Sequence, residues 1–221
     1  GGASQAAGGA REAYYAWTWG PALFVALDAY WYTTKKAQKT ENGWAYTLGE
    51  EQYRWLAGVL EASTEQFKVV LVHNLLGGVF TGPHPYDGRG GAAWAPYFEW
   101  GGRGEAGLWE FDAQRPGWGN RSIHQLLVAA NVSLVLKGHD HIWCTEELDG
   151  VVYQTLSTPS WYDRLPVEDK GYSAEQPYSF SPGHVVLDVG PDRLAVRHVA
   201  TESGLVAHTY EIEAAAAAAA R

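Results

Sequence analysis

Two histidines separated by one residue, His139 and His141, sit in the run Lys137-Gly138-His139-Asp140-His141, directly after the apolar segment Val132 to Leu136. Neutral imidazole is the commonest transition-metal ligand, so two of them in one short loop point to a metal site. In an extended segment alternate side chains share a face, which would aim both rings at one place. Gly138 lets the backbone turn closely beneath an ion. A third imidazole, His73, ends the continuous apolar run Lys68 to Val72. A lone histidine at a strand end is more often a hydrogen-bonded structural residue, so His73 gains weight only from its pairing with the Gly-His-Asp-His run. In parallel α/β sheets ligands gather beyond the carboxyl ends of the strands. If 69–72 and 132–136 are parallel neighbours joined through a helix at 122–130, His73, His139 and His141 meet at one rim.

The elements that must position these residues are legible from periodicity. Ala13 to Trp19 and Ala22 to Tyr32 read as two strands about a Gly20-Pro21 turn, since aromatic and apolar residues suit a pleated surface. Thr33 to Asn42 is then a surface loop. Glu50, Glu51 and Gln52 precede Tyr53, Trp55, Leu56, Val59 and Leu60, a spacing of threes and fours that predicts an amphipathic helix with acidic residues at its start. Lys68 to Val72 and Val132 to Leu136 read as strands buried on both faces. Ser122 to Ala130 predicts a short helix. Beyond the histidine loop, Val151 to Leu156, His184 to Val189, Arg193 to His198 and Leu205 to Ile212 read as an antiparallel run, with turns at Asp149-Gly150 and Gly190-Pro191-Asp192.

Leu75 to Gly119 is the least regular stretch, and connections of that length are commonly functional or disordered. Its density of Trp, Tyr and Phe argues for order: Trp94, Tyr97, Phe98, Trp100, Trp109, Phe111 and Trp118 form either an aromatic wall for a ligand or, more commonly, a small core. His84 and Arg89 fall in this stretch. Arg89 is a candidate phosphate ligand because a guanidinium pairs bidentately with phosphate, against the commoner reading of a solvated loop arginine. His124, His184, His198 and His208 have no partner at ligand spacing and read as structural.

Composition narrows the function. A chain of 221 residues, 46% hydrophobic, can bury one sizeable core. Its formal charge of -9 argues against a nucleic-acid polymer as partner, while a small anionic substrate could still be held through metal. No stretch approaches the roughly 20 apolar residues that span a bilayer. Cys144 is the sole cysteine, so no intramolecular disulfide can form.

On Val69-Val70-Leu71-Val72-His73, on Val132 to His141, and on Asp149-Gly150-Val151-Val152-Tyr153, the chain resembles the calcineurin-like metallophosphoesterase superfamily, which includes purple acid phosphatases and many phosphodiesterases. The resemblance implies an α/β fold, an αββα sandwich with two metal ions at its rim. It further implies His73 and His139 as ligands of one metal and His141 as a ligand of the other, with Asp140 not ligating. Fe, Mn or Zn would suit such a site, and the reaction would be in-line hydrolysis of a small phosphate mono- or diester. The family's Asp-x-His, Gly-Asp and Gly-Asn-His-Glu (or Asp) elements do not occur before His73, where Asp28 is the sole aspartate. The expectation is therefore a carboxyl-terminal portion at 13–213, lacking the sandwich's N-terminal strands and helices, with 1–12 a linker and 214–221 an alanine-rich tail. Such a chain would expose an apolar sheet edge, fold poorly alone and be inactive without the carboxylates. Two other readings stay open: a noncatalytic binding protein on a degenerate fold, and a mononuclear zinc hydrolase.

Overall fold

A computed structural model describes residues 13–30, 32–33, 42–78, 86–161, 166–173, 175 and 177–214. His84, the opening 1–12, most of the expected 33–42 loop and the alanine tail past Ala214 lie outside the described residues.

Among the described residues, ten strands form two sheets. β1 (Tyr15–Trp19) and β2 (Ala22–Ala26) make an antiparallel hairpin about Gly20 and Pro21, the second strand ending earlier than the apolar run suggests. α1 (Glu50–Ala62) follows, then β3 (Phe67–Val72). The long connection holds two single-turn helices, α2 (Phe98–Gly101) and α3 (Phe111–Gln114), before α4 (Ile123–Ala129) leads to β4 (Leu134–Lys137). β5 (Trp143–Leu148), β6 (Val151–Thr155) and the short β7 (Tyr178–Ser179) complete a seven-stranded sheet of order β1-β2-β3-β4-β6-β5-β7. β8 (Gly183–Val189), β9 (Arg193–Ala200) and β10 (Val206–Glu213) form a separate antiparallel sheet.

β2, β3, β4 and β6 run parallel, with Val70 opposite Val135 and Val72 opposite Lys137. The expected parallel neighbours are thus adjacent. The back half is not wholly antiparallel, however. β6 inserts beside β4 in parallel, because β5, a strand not evident from the sequence pattern, reverses the chain first. β5 carries Thr145, Glu146 and Glu147, which interrupt its apolar pattern.

The sheet's two faces bury different partners. Leu23, Val25, Val70, Val72 and Val135 pack against the helices, while Ala22, Phe24, Val69, Leu134 and Leu136 pack against Leu194 and Val196 of β9. The described residues therefore form helices, sheet and sheet; all four helices bury their apolar residues on the first face. β1 is an edge strand displaying Tyr15 and Trp19. No helix among the described residues is long and apolar enough to cross a membrane.

Local chemistry explains the supporting helices. α1 begins after Gly49, whose φ of +76° and contact with the Tyr32 ring leave no room for a side chain. Its buried Gln52 bridges both Asp28 backbone groups, fastening α1 to the end of β2. Ser122 and Gln125 form a reciprocal capping box at α4, satisfying two otherwise orphaned amides. In the long connection, Phe98, Trp100 and Phe111 join the helix-side core rather than forming a small core of their own, and Trp109 is exposed.

Candidate metal centre at the strand rim

β3 and β4 stop in register, and the Gly138 amide donates to His73 O at 3.0 Å, extending the ladder one step past the strands. That step brings His73 and His139 together, with ring centroids 5.2 Å apart. Tyr30, just beyond β2, lies on the other side of His73 with centroids 5.7 Å apart. Three successive parallel strands thus deliver aromatic or imidazole rings to one rim.

The histidine loop is not extended. His139 and His141 both adopt positive φ, 71° and 59°, in the left-handed region that costs a non-glycine residue energy. Alternation along an extended strand therefore does not aim the two rings together, contrary to expectation. His141 meets the exposed Trp161 edge-on, centroids 5.3 Å apart, rather than stacking on the other pair. His139 Nε2 lies 2.7 Å from Asp87 O. Among the described residues, His73 forms no hydrogen bond through its ring, and no group of three or more His, Cys, Asp or Glu side chains is placed to hold a metal.

Electrostatics favour the ligating form of the near pair. Burial pulls the His73 pKa below its usual value, and the Lys137 charge adds to this, while Asp140 opposes it. Burial likewise lowers His139, again against Asp140. Burial also pushes the Tyr30 hydroxyl up to about 12, reinforced by Asp87 and Asp140, so it stays protonated near neutrality. The two imidazoles are neutral at pH 7 and fit a metal as nitrogen donors.

The neighbouring carboxylates are committed elsewhere. Asp87 is buried and accepts the Arg89 amide at 3.2 Å and Arg89 Nε at 2.6 Å. Asp140 is fully buried, and its Oδ2 accepts Lys137 Nζ at 2.5 Å and Tyr172 OH at 2.6 Å. Among the described residues, the donors at this rim are thus imidazoles beside carboxylates already engaged with Arg89, Lys137 and Tyr172. Arg89 stands at the edge of the site through Asp87, which contacts both it and His139.

The turn carrying Asp87 to Gly91 covers the strand ends. Gly88, at φ +81°, lies where a Cβ would sit 1.9 Å from Asn74 Nδ2, and the Gly90 amide donates to Asp140 Oδ2 at 3.0 Å. Asn74 is fully buried with neither side-chain atom hydrogen-bonded among the described residues. Tyr30, Asp87, Trp161 and Tyr172 escape sequence reasoning because only tertiary structure brings them here. Lys137 left a signal: a lysine closing an otherwise apolar buried strand.

No protein-family model matches the chain, and no curated protein matches it in sequence. Solved structures do match. PhoD aligns at TM-score 0.56 with 17% identity over 90% of this chain and 42% of its own. GAP50, described as the anchor in the inner membrane complex of Plasmodium, aligns at 0.55 with 15% identity over 91% and 53%. Purple acid phosphatase PPD1 from yellow lupin seeds aligns at 0.51 with 14% identity over 90% and 32%. The chain therefore spans between a third and about half of the length of these structures. At such identities the likeness is one of fold, a mixed α/β architecture shared with these three structures.

Proposed function

We propose that this chain contributes the histidine half of a metal-dependent phosphoesterase centre acting on small phosphate mono- or diesters. His73 and His139 would hold one metal and His141 the second, while Arg89 would pair with the substrate phosphate once drawn from Asp87. Bound there, Fe, Mn or Zn would supply Lewis-acid polarisation of a phosphoryl oxygen and a lowered pKa for water. The chain's own part is to present neutral imidazoles at a fixed separation and to close the rim with the turn at 87–91.

The observation that carries this reading is the 5.2 Å approach of His73 and His139 at the carboxyl ends of adjacent parallel strands, on a fold shared with a purple acid phosphatase and PhoD. The bridging and anionic ligands belong, in this proposal, to a preceding portion of the same domain. The chain alone is expected to be inactive.

One observation favours a second reading. The carboxylates around the histidine pair are tied to Arg89, Lys137 and Tyr172, and one similar fold belongs to a protein described as an anchor. A noncatalytic binding protein would keep the fold and lack the anionic ligands. In the full-length product of the coding sequence, His139→Ala and His141→Ala should each lower metal content and abolish hydrolysis of a chromogenic phosphate ester. Unchanged metal content refutes the ligand assignment. A metal-free, inactive parent protein supports the binding reading.

A further inference from the structure

Asp140 separates the two histidines of the loop and is itself fully buried. Three donors converge on its Oδ2: Lys137 Nζ at 2.5 Å, Tyr172 OH at 2.6 Å and the Gly90 amide at 3.0 Å. Its backbone carbonyl accepts Lys170 Nζ at 2.5 Å, and its amide donates to Gly138 O at 2.9 Å. Lys137, Lys170 and Tyr172 are also buried. Tyr172 is held further by Thr155, whose hydroxyl is 2.7 Å from its own.

On either side of this anchored residue, His139 and His141 occupy the left-handed region. Two such residues within three positions persist only where the surroundings over-determine the backbone. A buried ion pair is a poor source of net stability, because desolvating both charges offsets their attraction. What it provides is geometry. A packing role alone would need no carboxylate here, and the one present leaves Oδ1 buried with no partner among the described residues.

We infer that Asp140, gripped by Lys137, Tyr172 and Lys170, is a positioning residue that fixes the backbone of the histidine loop and so sets the direction of His139 and His141 for metal binding. The inference rests on the proposed metal centre, but its structural half stands apart from it. Lys137 belongs to β4, Gly90 to the covering turn, and Lys170 and Tyr172 to the segment after β6, so the grip links three separate parts of the chain to one side chain. The loop's conformation is then a property of this network rather than of the Gly-His-Asp-His residues alone.

The test compares Lys137→Met, Asp140→Asn and Tyr172→Phe in the full-length protein, by amide hydrogen exchange and by titration with zinc. The inference expects the Gly138 and Asp140 amides to exchange at least tenfold faster in Lys137→Met and Asp140→Asn, with the Val70 and Val135 amides unchanged. Zinc affinity should fall about 10–100-fold, as for loss of groups that orient metal ligands. Tyr172→Phe removes one hydroxyl and keeps the ring, so it should fold where the others fail, with a smaller change in the same direction.

Unchanged exchange at Gly138 and Asp140 in all folded variants overturns the inference. Faster exchange with unaltered zinc affinity overturns the positioning role and leaves a merely structural grip. His139→Ala is the control for the underlying reading. If it binds zinc as the unaltered full-length protein does, or if that protein binds none, the metal centre fails while the exchange data still judge the grip.

Discussion

The histidines at the strand rim and the histidine on the buried face of α4 are built on opposite plans. His124 is buried against the helix-side core and uses both ring nitrogens: Nδ1 lies 2.8 Å from Tyr153 OH and Nε2 3.1 Å from Asp149 Oδ2. Trp100 Nε1 donates to the same Tyr153 hydroxyl at 2.9 Å, so the network is closed. At the rim, His73 forms no ring hydrogen bond among the described residues, and His139 commits one nitrogen to Asp87 O. His124, with both nitrogens spent, supports the fold. The His73 and His139 pair keeps nitrogens to spare at the open rim of the strands, where a ligand can reach them.

That contrast yields predictions graded by size. Tyr153→Phe should be the most damaging, since it strands the buried Trp100 N–H and the His124 ring. Leaving those groups unsatisfied should cost about 2–4 kcal/mol, read by urea denaturation, with zinc binding untouched. A loss under 1 kcal/mol would mean the network is not closed as described. Ser122→Ala removes the capping box of α4, the helix that feeds β4, and should cost about 1 kcal/mol. It too should spare the rim.

A gentler effect is expected from pH. His198 is buried, stacked on Trp143 with centroids 4.6 Å apart, and faces Ser157, His184 and His208. Burial lowers its pKa, and the two neighbouring histidines lower it further. A base whose folded pKa is depressed gives stability that is complete above its unfolded value and is lost as pH falls below it. Stability should therefore drop between pH 7 and pH 5, and His198→Phe, which keeps the ring stack, should flatten that dependence. An equally steep profile in the variant would assign the effect elsewhere, with His73 and His139 next in line. The smallest effect belongs to His73→Ala, which should alter stability by no more than about 0.5 kcal/mol, as a solvent-accessible site, yet sharply weaken zinc binding.

Much of the framework was legible in the sequence because burial on both faces leaves an unbroken apolar run. β3 and β4 show it, and the Ser122 and Gln125 cap with the Tyr53, Leu56 and Leu60 period mark the helices. β5 was hidden because Glu146 and Glu147 break its pattern, although Glu146 is buried and accepts the Ala92 amide. The parallel placement of β6 was hidden because strand pairing is a long-range choice. At the site, residue types announced metal chemistry, whereas the left-handed turn at His139 and His141 depends on Lys170 and Tyr172, some thirty residues on. Local spacing carries no trace of such a grip.

The central claim is that His73 and His139 form a ready pair of nitrogen donors. Zinc K-edge X-ray absorption of the zinc-loaded chain tests it most directly. Two imidazoles should scatter in the zinc coordination shell, falling to one in either His73→Ala or His139→Ala. A shell without imidazole, or one unchanged by both substitutions, would contradict the account.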